Sequence, residues 1–399
     1  MSDSTHVTTA PKAEYFDQRH AGNLPLWLPV AGIAALVISI VWGFFSPVQF
    51  AYSWLFAFFY CFTLVVGCLF WVLVHHATDA EWSVVVRRIL ENMAWLIPVL
   101  ALFFIPVALC HSTLYQWWNM HPGVSEALDK KRGYLNHTFF WVRVVFYFGI
   151  LSLLAWRMRA NSVQQDTDGH PIHTIRNRRW AFFGLLMFAI SVTFAAVDWL
   201  MALDYRWFST MWGVYIFAGT GQSGMCLLVL LVTALKKKGY LSYVNMEHYH
   251  IMGKLMLAFC IFWAYIGFGQ YMLYWYANIP EETSYFIRRN VGSWCYVSTA
   301  LVFLRFFSPF PLLLQQTLKK KPHIICMLAG WLLFMQLVDI YVVVMPMLHK
   351  DGFAPHFLDF FCLVAIAAPI AYLFIRSLSK ASLFPVRDPR LDLSLKLKN

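Results

Sequence analysis

Residues 51–74 read AYSWLFAFFYCFTLVVGCLFWVLV and contain no charged side chain. A helix needs about 20 mostly apolar residues to cross the hydrocarbon core of a bilayer. This stretch is long enough to do so, and its apolar residues run on without the alternation of a strand in a membrane barrel. The sequence therefore predicts a membrane-spanning helix here.

The rest of the chain has the same character. Of its 399 residues, 60% are hydrophobic and 13% are charged, whereas about 25% are charged in soluble domains. A soluble fold cannot cover so much apolar surface, which excludes a soluble enzyme or a nucleic-acid-binding module. We predict an all-α polytopic membrane protein with about ten transmembrane helices, at residues 25–45, 51–74, 92–110, 137–156, 180–203, 210–235, 251–278, 291–316, 323–348 and 357–378.

Basic residues are distributed unevenly between the two sides of this arrangement. Of the 31 Lys and Arg residues, 20 lie in tails and connections on the side of the termini, 7 on the opposite side and 4 within the predicted spans. Cytoplasmic connections of membrane proteins carry such an excess. We therefore expect a cytoplasmic N-terminal tail at 1–24, a membrane domain at 25–378 and a cytoplasmic C-terminal tail at 379–399. The net charge of +11 then reflects topology and contact with anionic lipids.

Residues able to hold an electron carrier are sparse. None of the eight cysteines stands in a C-x-x-C pair, and iron–sulfur clusters need closely spaced thiolates. All fourteen histidines lie outside the predicted spans or near their ends, whereas a membrane cytochrome b needs axial histidines at matched depths on facing helices. We predict that this chain holds no haem, cluster or metal of its own.

Two ionisable residues lie deep inside predicted spans, where such groups are costly and usually have a partner. Arg305 lies near the middle of the eighth span, and Asp339 lies in the ninth. These spans are consecutive and antiparallel, so we predict an Arg305–Asp339 ion pair. The pair is either structural or part of a proton or ion path, and the sequence leaves both open.

A second set of ionisable residues gathers at the ends of spans away from the termini. His137 and Arg143 begin the fourth span, Asp198 and Asp204 end the fifth, and Asp359 opens the tenth. Histidine exchanges protons near neutral pH, and a partly buried carboxyl can hold one. These residues are candidates for a proton path. Alternatively, Asp198 and Arg143 form a salt bridge that locks two helices.

Two shorter segments have a recognisable pattern. Residues 82–91 place apolar side chains on one helical face and Arg87 and Arg88 on the other, which predicts an amphipathic helix at the membrane interface. Residues 219–224, GTGQSG, place small residues in the sixth span, where they let neighbouring helices approach closely, with Gln222 and Ser223 hydrogen-bonding across the contact.

Several longer motifs resemble a known family. They are TFAAVDWLMALD at residues 193–204, EHYH at 247–250 and QYMLYWYANIPEET at 270–283. They resemble the integral membrane subunits of bacterial alternative complex III, and in particular the second of its two NrfD-like (polysulfide-reductase-like) quinone-binding subunits. His137 resembles the quinol-site histidine of the sister subunit, while Asp198 and Asp204 match the aspartates of the family motif.

This resemblance implies two four-helix bundles, related as inverted repeats, plus extra helices in a bacterial inner (cytoplasmic) membrane. It implies a subunit of a respiratory quinol:cytochrome c oxidoreductase, with no standalone activity. Haem c and iron–sulfur clusters would then lie in periplasmic partner subunits, and quinol or menaquinol would bind near a sister NrfD-like subunit or here. On this interpretation, the seven ionisable residues above are candidates for the quinone side or for proton movement.

Other interpretations stay open from the residues alone. Ten spans and an inverted repeat also permit a secondary transporter, and a purely structural anchor for peripheral subunits fits equally. The long connections at 111–136 and 279–290 carry aromatic and acidic residues. They suit docking to a partner protein, or they form an ordinary interfacial aromatic belt.

Overall fold

The computed structural model describes residues 12–398, apart from the side chain of Glu281. Residues 1–11 of the predicted N-terminal tail and Asn399 lie outside the described residues. No residue between 12 and 398 lies in a β-strand, and ten apolar helices are long enough to cross a membrane. The chain is an all-α multi-pass membrane protein, as predicted. The helices are α1 Leu24–Phe45, α2 Pro47–Ala77, α3 Glu81–Leu109, α4 His137–Asp168, α5 Ile172–Leu203, α6 Trp212–Lys237, α7 Met246–Ala277, α8 Trp294–Leu314, α9 Pro322–Met347 and α10 Phe357–Ser377.

The helices form two four-helix bundles. Helices α2, α3, α4 and α5 pack in a ring, α6, α7, α8 and α9 pack in a second ring, and α1 pairs with α10 against the outside of α2. The bundles meet along α2 and α6, whose most apolar stretches are each 78% buried. At this contact a Cβ on Gly67 of α2 would overlap the backbone of Thr220 and Gly224 of α6. The close packing predicted for residues 219–224 is therefore confirmed. The predicted hydrogen bond of Ser223 across the contact is wrong, because its hydroxyl donates to the Gly219 carbonyl of the same helix at 2.7 Å.

The two bundles follow one another in the chain. Each contains four consecutive spans, so α4 and α5 hold the same places in the first bundle as α8 and α9 hold in the second. The inverted relation that the resemblance implies stays a prediction.

Two spans are irregular. Helix α3 consists of Val84–Ala94, Ile97–Leu102 and Ile105–Leu109, the last two of which begin with a proline in their first turn. Helix α8 contains a π-helical turn at Phe303–Phe307. These two breaks lie in the second helix of one bundle and the third helix of the other, whereas many transporters have breaks at corresponding positions of their two halves.

The C-terminal tail is folded onto the protein. Residues 379–398, which we call the strap, lie across the ends of the helices, and the Leu383 amide donates to the Glu14 carbonyl at 2.8 Å. Both ends of the described chain therefore lie at one end of the bundles, which we call the terminus end.

The predicted amphipathic helix at residues 82–91 is wrong in its location. Arg87 and Arg88 are 1% and 0% exposed, and Val84–Ala94 lies inside the protein rather than at an interface. The arginines pair with Asp388 of the strap and Asp166 of α4, at 2.6 Å and 2.9 Å. Those partners are distant in sequence, so helical periodicity alone could not reveal them.

Candidate functional site

The second bundle contains a buried ion pair at the π-helical turn of α8. Arg305 Nη1 donates to Asp339 Oδ2 of α9 at 2.7 Å. The two residues are 0% and 3% exposed. The predicted Arg305–Asp339 pair is therefore confirmed.

Polar side chains from α6 and α7 complete this group. Asp339 also accepts hydrogen bonds from the Tyr215 hydroxyl at 2.5 Å and from the Trp263 indole nitrogen at 3.1 Å. Three donors thus converge on one carboxylate, an arrangement that suits its ionised form. We call Arg305, Asp339, Tyr215 and Trp263 the Asp339 centre.

Arg305 has neutral partners as well as a charged one. Its Nη2 donates to the side-chain oxygen of Gln222 at 3.2 Å and to that of Gln336, and its guanidinium carbon lies 4.3 Å from the centroid of the Trp263 ring. Arg305 therefore keeps two acceptors and an aromatic face if Asp339 becomes protonated. The centre can hold either charge state of the carboxyl without leaving the arginine unpaired.

A cavity of about 690 Å³ adjoins the Asp339 centre between α7 and α8. Helix α7 packs against Pro309–Leu314 and the π-helical turn of α8 but makes little contact with the preceding part, Trp294–Val302. The resulting gap opens sideways, because Tyr265 and Phe268 on α7 are 70% and 65% exposed. We call this space the α7–α8 cavity, and exposed aromatic side chains surround its opening.

The cavity is mostly aromatic and apolar, with a few polar groups at its inner wall. Tyr215 and Asp339 of the centre line it, as do Gln270 and Arg289. Gln270 is 4% exposed, and its Nε2 has no hydrogen-bond partner among the described residues. Arg289 instead donates to the carbonyls of Val342 and Val343. Gln270 thus presents a buried free donor at this wall, and Asp339 with Tyr215 is a polar pair beside it.

The first bundle contains a corresponding centre on corresponding helices. Arg143 of α4 donates twice to Asp198 of α5, from Nε at 2.7 Å and from Nη2 at 2.8 Å. Tyr147 donates to the same carboxylate at 2.7 Å, and the guanidinium lies 3.8 Å from the Tyr134 ring centroid. The salt bridge considered in the sequence analysis is present. We call Arg143, Asp198 and Tyr147 the Asp198 centre.

The remaining candidates lie apart from both centres. Asp204 pairs with Arg288 at 2.6 Å. Asp359 accepts from Ser53 at 2.5 Å and from Tyr341 at 3.1 Å. The His137 ring is exposed and stacks on Trp118. No hydrogen bond or ion pair within residues 12–398 joins these groups, so the structure does not bring them together as one relay.

Sequence reasoning missed several residues of the site. Tyr215, Trp263 and Gln336 were not singled out, and Gln270 appeared only as the first residue of the motif at 270–283. The available signal was weak: an uncharged amide inside a span is polar enough to need a partner. Gln222 was assigned to helix packing, whereas it also accepts from Arg305.

The described residues contain no candidate metal site. Among residues 12–398, no group of three or more His, Cys, Asp or Glu side chains is placed to hold a metal ion. Compared with protein-family models and with curated proteins, the sequence matches neither.

Proposed function

We propose that the chain is an integral membrane subunit of a respiratory quinol:electron-acceptor oxidoreductase, and that the ring of a quinone or quinol binds in the α7–α8 cavity. The observation that carries this proposal is an aromatic cavity that opens sideways between two membrane-spanning helices and ends on a buried carboxylate. Haem c and iron–sulfur clusters belong, in this proposal, to partner subunits, which include a sister NrfD-like subunit and periplasmic subunits.

The chemistry of the cavity matches that of a quinone. A quinone has a flat ring with two oxygens on opposite edges and a long apolar tail, so it reaches a site sideways from the bilayer. The cavity volume of about 690 Å³ is in the ordinary range for small-molecule sites. Aromatic walls pack against the ring, Gln270 supplies a donor for one oxygen, and the Tyr215–Asp339 pair supplies a polar partner for the other.

The Asp339 centre also suits the protons of the reaction. Oxidation of a quinol to a quinone releases two protons and two electrons, and the electrons pass to the partner subunits. Asp339 can take up a proton because Arg305 keeps Gln222 and Gln336 as acceptors. The Asp198 centre contains a second buried carboxylate that is likewise paired with an arginine and a tyrosine, although no hydrogen bond among the described residues connects the two centres.

Photolabelling with an azido-quinone tests the binding site directly. In lipid nanodiscs we expect the label on peptides of α7 or α8 that line the cavity, and excess unlabelled quinone should displace it. Gln270→Leu should weaken binding roughly fivefold to tenfold, since it removes one hydrogen bond worth about 1 kcal/mol. Gln315→Leu, at an exposed position, is the matched control and should leave labelling unchanged.

Two results would contradict the proposal. Label scattered along the lipid-facing helices, with no effect of Gln270→Leu, would mean that ordinary lipid fills the cavity. Quinol oxidation by the assembled complex that survives Asp339→Asn unchanged would favour the structural-anchor interpretation for this subunit.

We further propose that the protein lies in a bacterial inner membrane with both termini in the cytoplasm. The excess of Lys and Arg on the side of the termini supports this orientation. His121→Cys and Lys380→Cys place thiols at exposed positions on opposite ends of the bundles. A membrane-impermeant maleimide added to spheroplasts should label the first and spare the second, and the reverse pattern would invert the topology.

A further inference from the structure

A second buried polar group lies at the terminus end of the first bundle. Its members are His75, His76, Arg87, Arg88 and Glu91, and none of them is more than 2% exposed. We call this group the histidine chamber. It shares no residue with the α7–α8 cavity or with either aspartate centre.

The chamber is only partly satisfied by its own side chains. Glu91 pairs with Arg87 at 3.3 Å and with Arg88 at 3.0 Å, and the His76 ring lies 4.0 Å from the same carboxylate. All four ring nitrogens of His75 and His76 lack a hydrogen-bond partner among the described residues. Buried polar atoms of this kind are usually satisfied by ordered water. Ordered water is therefore the expected partner of these ring nitrogens.

The strap covers this chamber with a series of specific contacts. Asp388 pairs with Arg87 inside the chamber at 2.6 Å, and Arg390 pairs with Asp79 of the α2–α3 connection at 2.9 Å. Ser394 donates to the carbonyl of Trp82 at 2.9 Å. The Trp82 ring in turn meets His75 edge to face at a centroid distance of 5.0 Å. The strap thus holds the residues that separate the histidines from the aqueous phase.

The two halves of the strap are held differently. Leu383 and Phe384 are fully buried and anchor the first half in apolar contacts. From Asp388 to Ser394 the strap has one buried apolar side chain, Leu391, and its other contacts are ion pairs and hydrogen bonds, which water can replace when the segment lifts. Local openings of this kind cost less than global unfolding. The second half can therefore detach while the first half stays in place.

We propose that the histidine chamber is a hydrated proton-exchange site and that the strap from Asp388 to Ser394 is the lid that controls its access to water at the terminus end. Lifting of the lid breaks the Asp388–Arg87 and Arg390–Asp79 pairs and exposes His75 and His76. This inference does not depend on quinone binding at the α7–α8 cavity.

Hydrogen–deuterium exchange at the C2 carbon of histidine, read by mass spectrometry on the full-length protein, tests the lid. His75 and His76 fall in one peptide and report together, and exposed His121 is the internal reference. In the unmodified protein we expect their exchange to be at least about tenfold slower than that of His121, since it requires a local opening. The double variant Asp388→Asn/Arg390→Gln should remove most of this protection.

Arg178→Gln is the matched control. Arg178 pairs with the same Asp79 at 2.6 Å but does not belong to the strap, so its loss should leave histidine exchange unchanged. In the unmodified protein, low urea should accelerate exchange of His75 and His76 together with that of strap amides, because one opening exposes both.

Three results would overturn the inference. His75 and His76 exchanging as fast as His121 in the unmodified protein would mean that the chamber is open without any lid. Histidine exchange with a different urea dependence from the strap amides would mean that water enters by another route. Equal acceleration by the double variant and by Arg178→Gln would show a general loosening of the terminus end.

Discussion

Replacing Asp339 by Asn removes the negative charge of the Asp339 centre and keeps nearly the same side-chain shape. The variant leaves Arg305, which is 0% exposed, without its carboxylate partner. Removing one member of a buried ion pair costs about 3–5 kcal/mol. Asparagine keeps an acceptor oxygen, and Gln222 and Gln336 still face the guanidinium. We therefore expect the lower end of that range, about 3 kcal/mol, as the loss in free energy of unfolding.

The unfolding free energy can be measured by titration with sodium dodecyl sulfate in mixed micelles, followed by far-ultraviolet circular dichroism. Tyr215→Phe removes only the 2.5 Å hydrogen bond and should cost about 1–2 kcal/mol. The double variant Arg305→Met/Asp339→Leu replaces the pair by apolar side chains and should lie within about 1 kcal/mol of the unmodified protein. If Asp339→Asn cost no more than Tyr215→Phe, or the double variant were the least stable, the ion-pair reasoning would be refuted.

Three other predictions concern separate parts of the protein. Asp198→Asn leaves Arg143 buried without its bidentate partner, so the free energy of unfolding should fall by about 3 kcal/mol and the midpoint of the same titration should fall with it. An unchanged midpoint would mean that the salt bridge adds no stability. Gly67→Ala places a methyl group against the facing backbone and should cost about 1–3 kcal/mol, whereas Gly149→Ala, which meets no atom within 4 Å, should be neutral. Burial raises the pKa of Asp388, but the adjacent arginines outweigh burial and hold that pKa well below its ordinary value. The stability that Asp388 contributes is present above its pKa in the unfolded chain and is lost only as pH falls through its lower pKa in the folded protein. Amide protection in the strap, corrected for intrinsic exchange, should therefore be the same at pH 7 and pH 5. Loss of this protection by pH 5 would contradict the assignment.

The sequence predicts the membrane architecture well because its signals are local. Twenty-residue apolar runs reveal the spans, and the rule that ions in lipid need partners reveals Arg305 with Asp339. The same rule gives a salt bridge between Arg143 and Asp198 as one of two alternatives, and the structure shows that salt bridge. In each pair the partners lie on consecutive helices, which short connections force into antiparallel contact.

Features that depend on distant parts of the chain were not predictable in the same way. The segment at 82–91 has an amphipathic period whether its arginines face water or a buried acid, and only the folded position of Asp388 decides between them. The α7–α8 cavity arises because two helices diverge along half their length, which no local pattern encodes. Gln270 becomes a candidate ligand-binding residue only once that gap exists.

The glycine contact between α2 and α6 limits how this protein can move. Where Gly67 meets Thr220 and Gly224, backbone rests on backbone with no flexible side chain between them. We therefore expect the two bundles to move as one rigid body, because rocking of one bundle against the other would break this helix–helix contact. Entry and exit of small molecules would then depend on local movements, such as a change in the π-helical turn of α8 at Phe303–Phe307.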